Sequence, residues 1–160
     1  MLNVLATYPR AQAPLPKLIT ISSSGITAAS HRALPLIIKP LYGFFLAAPH
    51  EDKLGMERVV AHAAGWSWED KGPSARVLSS GWEARAGQPG QLQDVVVLRP
   101  SAFTDGKCTA EDTSGKTYRS AGGDLRGAYT ISRRDVAHFI VERCLKEWDQ
   151  WKGKYVGLAY

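Results

Sequence analysis

The amino-acid sequence predicts an α/β fold built on a parallel sheet. Three observations carry that prediction. Two short β-branched apolar runs, at residues 17–22 and 94–98, have the length and composition of buried strands. Helical apolar spacing appears over residues 54–64 and 133–151, and strands alternating with helices favour parallel pairing. The second run, Asp-Val-Val-Val-Leu, is apolar without alternation, as expected of a strand buried on both faces.

Each element follows from local chemistry. Residues 2–8 read as the tail of a helix ended by Pro9, because the residue before a proline is disfavoured in helical geometry. Pro14 and Pro16 mark an exposed connection. Residues 17–22, Lys-Leu-Ile-Thr-Ile-Ser, form the first strand, which stops in the polar turn Ser22-Ser23-Ser24-Gly25. Ligands of open α/β sheets bind just beyond the carboxyl ends of strands, so these hydroxyls are site candidates; an ordinary Ser-rich turn is the alternative. Residues 26–48 are a long apolar connection suited to a lid, a partner surface or a pocket wall.

A helix is expected over residues 54–64, with Glu51 and Asp52 at its start, where the dipole favours negative charge, and Gly65 as its stop. Residues 69–93, rich in Gly, Pro, Ser and Ala, read as an exposed loop longer than usual connections. The strand at 94–98 runs into Arg99-Pro100-Ser101. Residues 116–120 and 128–131 read as short strands around the turn Gly122-Gly123-Asp124. Ser132 caps the helix 133–151, whose Val136, Ile140, Cys144 and Leu145, with Ala137, Val141 and Trp148, form an inward stripe. Residues 154–160 close the sheet.

Composition narrows the function classes. With 44% hydrophobic and 22% charged residues, the 160-residue chain reads as one soluble domain. The net charge of +5 favours anions mildly, but the basic residues are scattered and no run exceeds Arg133-Arg134, which argues against nucleic acid. The apolar stretch 34–49 is interrupted by Pro35, Lys39, Pro40 and Gly43, which argues against a membrane span. Cys108 and Cys144 match no metal or redox spacing, and His31, His62 and His138 show no metal-ligand pattern, so no metal is expected and a cytoplasmic location is the simplest.

The order Ile19-Thr20-Ile21-Ser22-Ser23-Ser24-Gly25, Pro49-His50-Glu51-Asp52-Lys53 with Glu57, Val97-Leu98-Arg99-Pro100 with Thr104-Asp105-Gly106, and Ile131-Ser132-Arg133-Arg134-Asp135-Val136-Ala137 resembles the C-terminal half of an atypical short-chain dehydrogenase/reductase. The similarity is to NAD(P)H-binding, NmrA-like and biliverdin-reductase-B-like proteins of fungal type. It covers residues 17–160, least firmly over 69–93.

The resemblance implies a partial Rossmann-like parallel sheet and an NAD(P) cofactor. Ser24 falls on the family's Ser or Thr after the central strand, which polarises a substrate carbonyl. Lys53 falls on the Lys of Tyr-x-x-x-Lys, which binds the nicotinamide ribose and lowers the Tyr pKa. The Tyr position is Pro49, which has no phenol. His50 beside it is a candidate acid one residue out of register, or a solvent-exposed helix-start histidine. Ser22 and Ser23 join Lys53, Arg99 and Pro100 as cofactor-side candidates; Arg99 is equally suited to a structural ion pair. Asp135 is better explained as a structural carboxylate in a helix's first turn.

No G-x-G-x-x-G occurs in the chain, so the Gly-rich βαβ unit that anchors the pyrophosphate is missing from these residues. Three functional expectations follow. The first is an NAD(P)-dependent oxidoreductase of small hydrophobic substrates, seen as its substrate-side half and not catalytic alone. The second is a non-catalytic NAD(P)-sensing or protein-interaction module, and the third an inactive fragment. A partner chain supplying the other half is a further expectation.

Overall fold

The structure, a computed structural model, describes residues 1–9, 14–26, 47–112 and 117–160, with no side-chain description for residues 47 and 48. The apolar connection expected over 26–48 therefore lies outside the described residues except at its ends, as does the start of the strand expected at 116–120. The chain divides into two compact units. One comprises Met1–Leu18 and Gly25–Val95, the other Ile19–Ser24 and Val96–Tyr160.

The first unit is mainly helical. Helix α1 (Leu2–Thr7) buries Leu5 and stops before Pro9 with Tyr8 extended. Tyr8 then donates its phenol hydrogen bond to the carbonyl of Pro16. Helix α2 spans Ala47–Ala64, so it begins earlier than the sequence reading placed it. The reason is Pro49. It sits in the first turn, where no intrahelical N–H bond is required, and there a proline does not stop a helix. Glu51 and Asp52 are therefore not first-turn residues; Glu51 instead accepts a hydrogen bond from the Ser74 N–H at 3.1 Å. Toward its end α2 buries Glu57, Val59, Val60, Ala61, Ala63 and Ala64.

The segment 69–93 is not an exposed loop throughout. It contains helix α3 (Trp82–Ala86), and it buries Trp82, Ala86 and Leu92. Gly81 and Gly87 flank α3 with φ of 77° and 89°, values that L side chains rarely adopt. Arg58 of α2 lies 5.6 Å from the Trp82 ring centroid and 5.7 Å from that of Trp68. The Leu92 N–H bonds the Ala63 carbonyl at 2.9 Å. Large apolar rings outweigh the small and polar composition around them.

The second unit carries the sheet. Strands β1 (Leu18–Ile21), β2 (Val95–Pro100), β4 (Arg119–Gly122) and β6 (Lys154–Ala159) lie in the order β1-β2-β6-β4. Strand β2 is buried along its whole length and pairs with β6 in parallel, Leu98 opposite Val156. Ser22 N–H bonds the Leu98 carbonyl at 2.7 Å and Ser24 N–H the Pro100 carbonyl at 2.9 Å. Donor and acceptor numbers rise together, which is the parallel sense. The sheet is mostly parallel rather than wholly so, because β4 joins β6 antiparallel. Strands β3 (Ala102–Thr104) and β5 (Thr130–Ser132) form a separate parallel pair. The fold is thus α/β, consistent with a partial Rossmann-like sheet.

Ser132 caps the helix that follows, its Oγ accepting the Asp135 N–H at 2.9 Å. This helical run is not uniform. Helix α4 (Arg133–His138) passes into a π-helical turn, Phe139–Cys144, before the short helix α5 (Trp148–Trp151). Val136, Phe139, Cys144, Trp148 and Trp151 pack with Val96, Leu98, Val156 and Leu158 as the core. Three members of the expected stripe turn outward: Ala137, which is exposed, Val141 at 52% exposure and Leu145 at 40%. From Phe139 onward the wide turn changes the angular spacing on which that stripe was drawn.

Candidate functional site

Residues Val96, Leu98, Val156, Leu158 and Ile19 face the core of the second unit. Side chains alternate along strands, so Thr20, Ser22, Val97, Arg99 and Tyr155 belong to the opposite face. That face is polar near the carboxyl ends of β1 and β2. Thr20 and Ser22 are buried, and their hydroxyls have no hydrogen-bond partner among the described residues. Buried hydroxyls normally find one, so the pair marks a place the local structure leaves unsatisfied.

Ser24 stands just beyond β1. Its N–H is held by Pro100, and its hydroxyl donates a long hydrogen bond to the Ser101 Oγ at 3.4 Å. Ser101 is buried and fixed to β6 through its N–H, which bonds the Leu158 carbonyl at 3.0 Å. The contact is long enough to be exchanged for a better acceptor. Ser23 is half-buried in the same turn.

Arg99 makes the ion pair that the sequence left open. Its guanidinium lies 3.5 Å from an Asp124 carboxylate oxygen and 4.0 Å from the centroid of the Tyr155 ring. Gly157 lets this arrangement form. A methyl group there would come within 2.6 Å of the Gly123 carbonyl and 3.3 Å of the Leu125 nitrogen, so the turn carrying Asp124 lies against bare backbone. Pro100 ends β2 and brings no donor.

The second unit thus gathers Ser22, Ser23, Ser24, Arg99 and Pro100 at one sheet end. His50 and Lys53 form a separate group on α2, three residues apart and so on neighbouring positions of one helix surface. Both are half-buried, and burial lowers the Lys53 pKa. His50 is the fourth residue of α2 and is half-buried rather than solvent-exposed. Beside this group, Asn3, Asp52, Met56, Val59, Leu78 and Arg85 border a cleft of ≈ 360 Å³, of which Lys53 is not a wall residue.

Asp135 is structural, as its position suggested, though by other contacts. Its carboxylate accepts from the N–H groups of Thr109 (2.8 Å) and Ala110 (3.2 Å) and from the hydroxyls of Ser132 (2.8 Å) and Tyr160 (2.6 Å). The amides belong to a 3-10 turn, Thr109–Glu111, and not to its own helix.

Sequence reasoning gave no role to Ser101, Asp124 or Tyr155. Ser101 was signalled by its place directly after the strand-end Arg-Pro; Asp124 and Tyr155 carried no local signal, because their contacts are set by the sheet. Among the described residues, no group of three or more His, Cys, Asp or Glu side chains is placed to hold a metal ion, and no helix is long and apolar enough to cross a membrane.

Comparison with known proteins gives one significant likeness. The chain is 32% identical over 158 residues to Reductase pytE of Aspergillus terreus, covering 91% of this chain and 48% of that protein. No family model matches, and no solved structure matches. The chain therefore spans about half the length of the curated relative it matches, and what it resembles is part of a reductase.

Proposed function

We propose that this chain is the substrate-side half of an NAD(P)-dependent reductase of the atypical short-chain dehydrogenase/reductase type, and that it does not catalyse alone. The observation that carries the reading is the Ser24–Ser101 hydroxyl pair at the carboxyl ends of adjacent parallel strands. The 32% identity to a reductase supports the reaction class.

In this reading the Ser24 hydroxyl leaves Ser101 and donates to the carbonyl oxygen of a small hydrophobic substrate, which makes the carbonyl carbon more electrophilic. Ser22, Ser23 and Arg99 border the nicotinamide end of the cofactor, with Pro100 shaping that end; the ribose role of Lys53 rests on the family resemblance alone. NAD(P)H, when bound, supplies the hydride. The product alcohol also needs a proton, and Pro49 offers none where relatives carry a phenol; His50, its neighbour in sequence, is the candidate the resemblance leaves. The residues fit the nicotinamide end only, since no Gly-rich phosphate turn occurs in the sequence. The two free cysteines suit a cytoplasmic setting.

Pro49 also favours a second reading, a non-catalytic NAD(P)-sensing or interaction module. A thermal unfolding scan with and without millimolar NADPH tests the main proposal. A ligand that binds only the folded state raises the midpoint by mass action. An upward shift without NADPH consumption is the expected outcome. A cooperative transition that does not move counts against a cofactor site in this half and leaves an interaction module without cofactor.

A further inference from the structure

The cleft beside α2 combines an apolar floor with charged groups at its rim, all supplied by the first unit. The floor is Leu2, Met56, Val59, Val77 and Leu78. Val59 is buried and the other four are half-buried. This floor is preformed. Helix α2 has no side chain at Gly55, where a methyl group would collide with Cγ1 of Val77, so the segment carrying Val77 and Leu78 packs on bare backbone. Met56 adds an unbranched thioether that adjusts to the shape of what lies against it.

Two charged side chains stand on the walls, Asp52 and Arg85, both exposed. Among the described residues neither enters an ion pair. Arg85 donates one hydrogen bond, to the Asn3 Oδ1 at 3.1 Å. A guanidinium carries several donors in a planar fork, so most remain for another acceptor. Asp52 has no hydrogen-bond partner among the described residues. Either charge alone would be an ordinary solvated surface group. What sets the two apart is that opposite charges border one cleft above one apolar floor, the arrangement of a site with an apolar body and a few orienting polar groups.

We propose that this cleft binds a free α-amino acid with a large apolar side chain. Its carboxylate pairs with the Arg85 guanidinium, whose fork matches a carboxylate. Its ammonium pairs with Asp52, and its side chain lies on Met56, Val59, Val77 and Leu78. A simple apolar acid would set its carboxylate near Asp52, and a simple amine would set its ammonium near Arg85; a zwitterion satisfies both. The cleft volume of ≈ 360 Å³ lies at the small end of ligand pockets, as suits a ligand of this size. The site uses none of Ser24, Lys53 and Arg99 and does not rest on the reductase reading.

The test is a titration of the purified chain, carbon-13-labelled at its Met, Val and Leu methyls, with L-phenylalanine, followed by NMR. The methyl signals of Met56 and Val77 should shift and saturate. Hydrocinnamate, which lacks the ammonium, and phenethylamine, which lacks the carboxylate, should each bind about tenfold more weakly, the ratio that one lost charge pair of moderate strength gives. Arg85→Gln and Asp52→Asn should each weaken L-phenylalanine by a similar factor, and Asp52→Asn should also close the gap between L-phenylalanine and hydrocinnamate. Arg126→Gln, exposed and outside the first unit, should change nothing. Shifts that never saturate, hydrocinnamate binding as tightly as L-phenylalanine, or an affinity indifferent to both variants overturns the proposal. Both substituted positions are exposed, and the comparison of the three ligands needs no variant at all. Since no nucleotide is added, these outcomes are separate from the NADPH scan.

Discussion

At the residue scale, Asp135 illustrates how a buried charge is tolerated. It is fully buried, and burial pushes its carboxyl pKa up; hydrogen bonds from Tyr160, Ser132, Ala110 and Cys108 outweigh that and hold it below the ordinary value of 3.8. A carboxyl whose folded pKa is depressed stabilises the fold above its unfolded value, and that contribution is lost as pH falls through the folded value. Tyr118 works at the other limit. Burial pushes its phenol up to about 12, and it shares a 2.9 Å hydrogen bond with His138. Its contribution is complete below its ordinary value of 10.0 and disappears as pH rises toward 12. Urea titrations across pH should therefore show stability falling at both ends. Asp135→Asn should remove the acid limb and cost about 2 kcal/mol near neutrality, because several donors lose a charged acceptor. An unchanged acid limb in that variant would assign acid sensitivity elsewhere.

At the scale of elements, helix α2 presents a glycine where propensity alone disfavours one. Replacing a helix-interior glycine with alanine normally stabilises by up to about 1 kcal/mol. At Gly55 the new methyl would collide with Cγ1 of Val77. Valine has few rotamers with which to retreat, so overpacking of about 1–3 kcal/mol should reverse the sign. Gly55→Ala should destabilise, and a Val77→Ala background should restore much of the loss in a double-mutant cycle. Additive effects would mean that the two positions do not touch. This contact also shows where sequence reading stops. Strand β2 was legible because Val95, Val96, Val97 and Leu98 are apolar without interruption, and the Ser132 cap because its geometry is local. The packed part of 69–93 was not, because it is decided by contacts with residues distant in sequence such as Arg58 and Ala63, and the start of α2 was placed too late because its first turn accommodates Pro49. Among the site candidates, the Ser24 turn was legible from its place after a strand, while the Arg99–Asp124 pair required β6 and Gly157 to bring its partners together.

At the scale of the whole molecule, β1 ends the sheet order, and the absence of a partner for its outer edge among the described residues has a consequence for solution behaviour. Unpaired edges template contact with other chains on partial unfolding. Warming the isolated protein while following light scattering should show aggregation, and Ile21→Lys should lengthen its lag severalfold without moving the unfolding midpoint by more than about 2 °C, since a surface change away from packed features is worth within about 0.5 kcal/mol. An unaltered lag would place the sticky segment elsewhere. The net charge of +5 opposes self-association only weakly once salt screens it.

The π-helical turn Phe139–Cys144 has a consequence for how the chain tolerates changes of length. Its Leu145 N–H reaches back to the Ile140 carbonyl, one residue further than an α-helix would reach. Such a turn holds a surplus residue, and Val141 is an exposed apolar member of it. Deleting Val141 should let the backbone relax to ordinary α geometry while Val136 before it and Trp148 and Trp151 after it keep their places in the core. The same one-residue deletion within α2 would rotate every later side chain by about 100°. Circular dichroism and urea midpoints of the two deletions should diverge sharply, with only the first remaining folded.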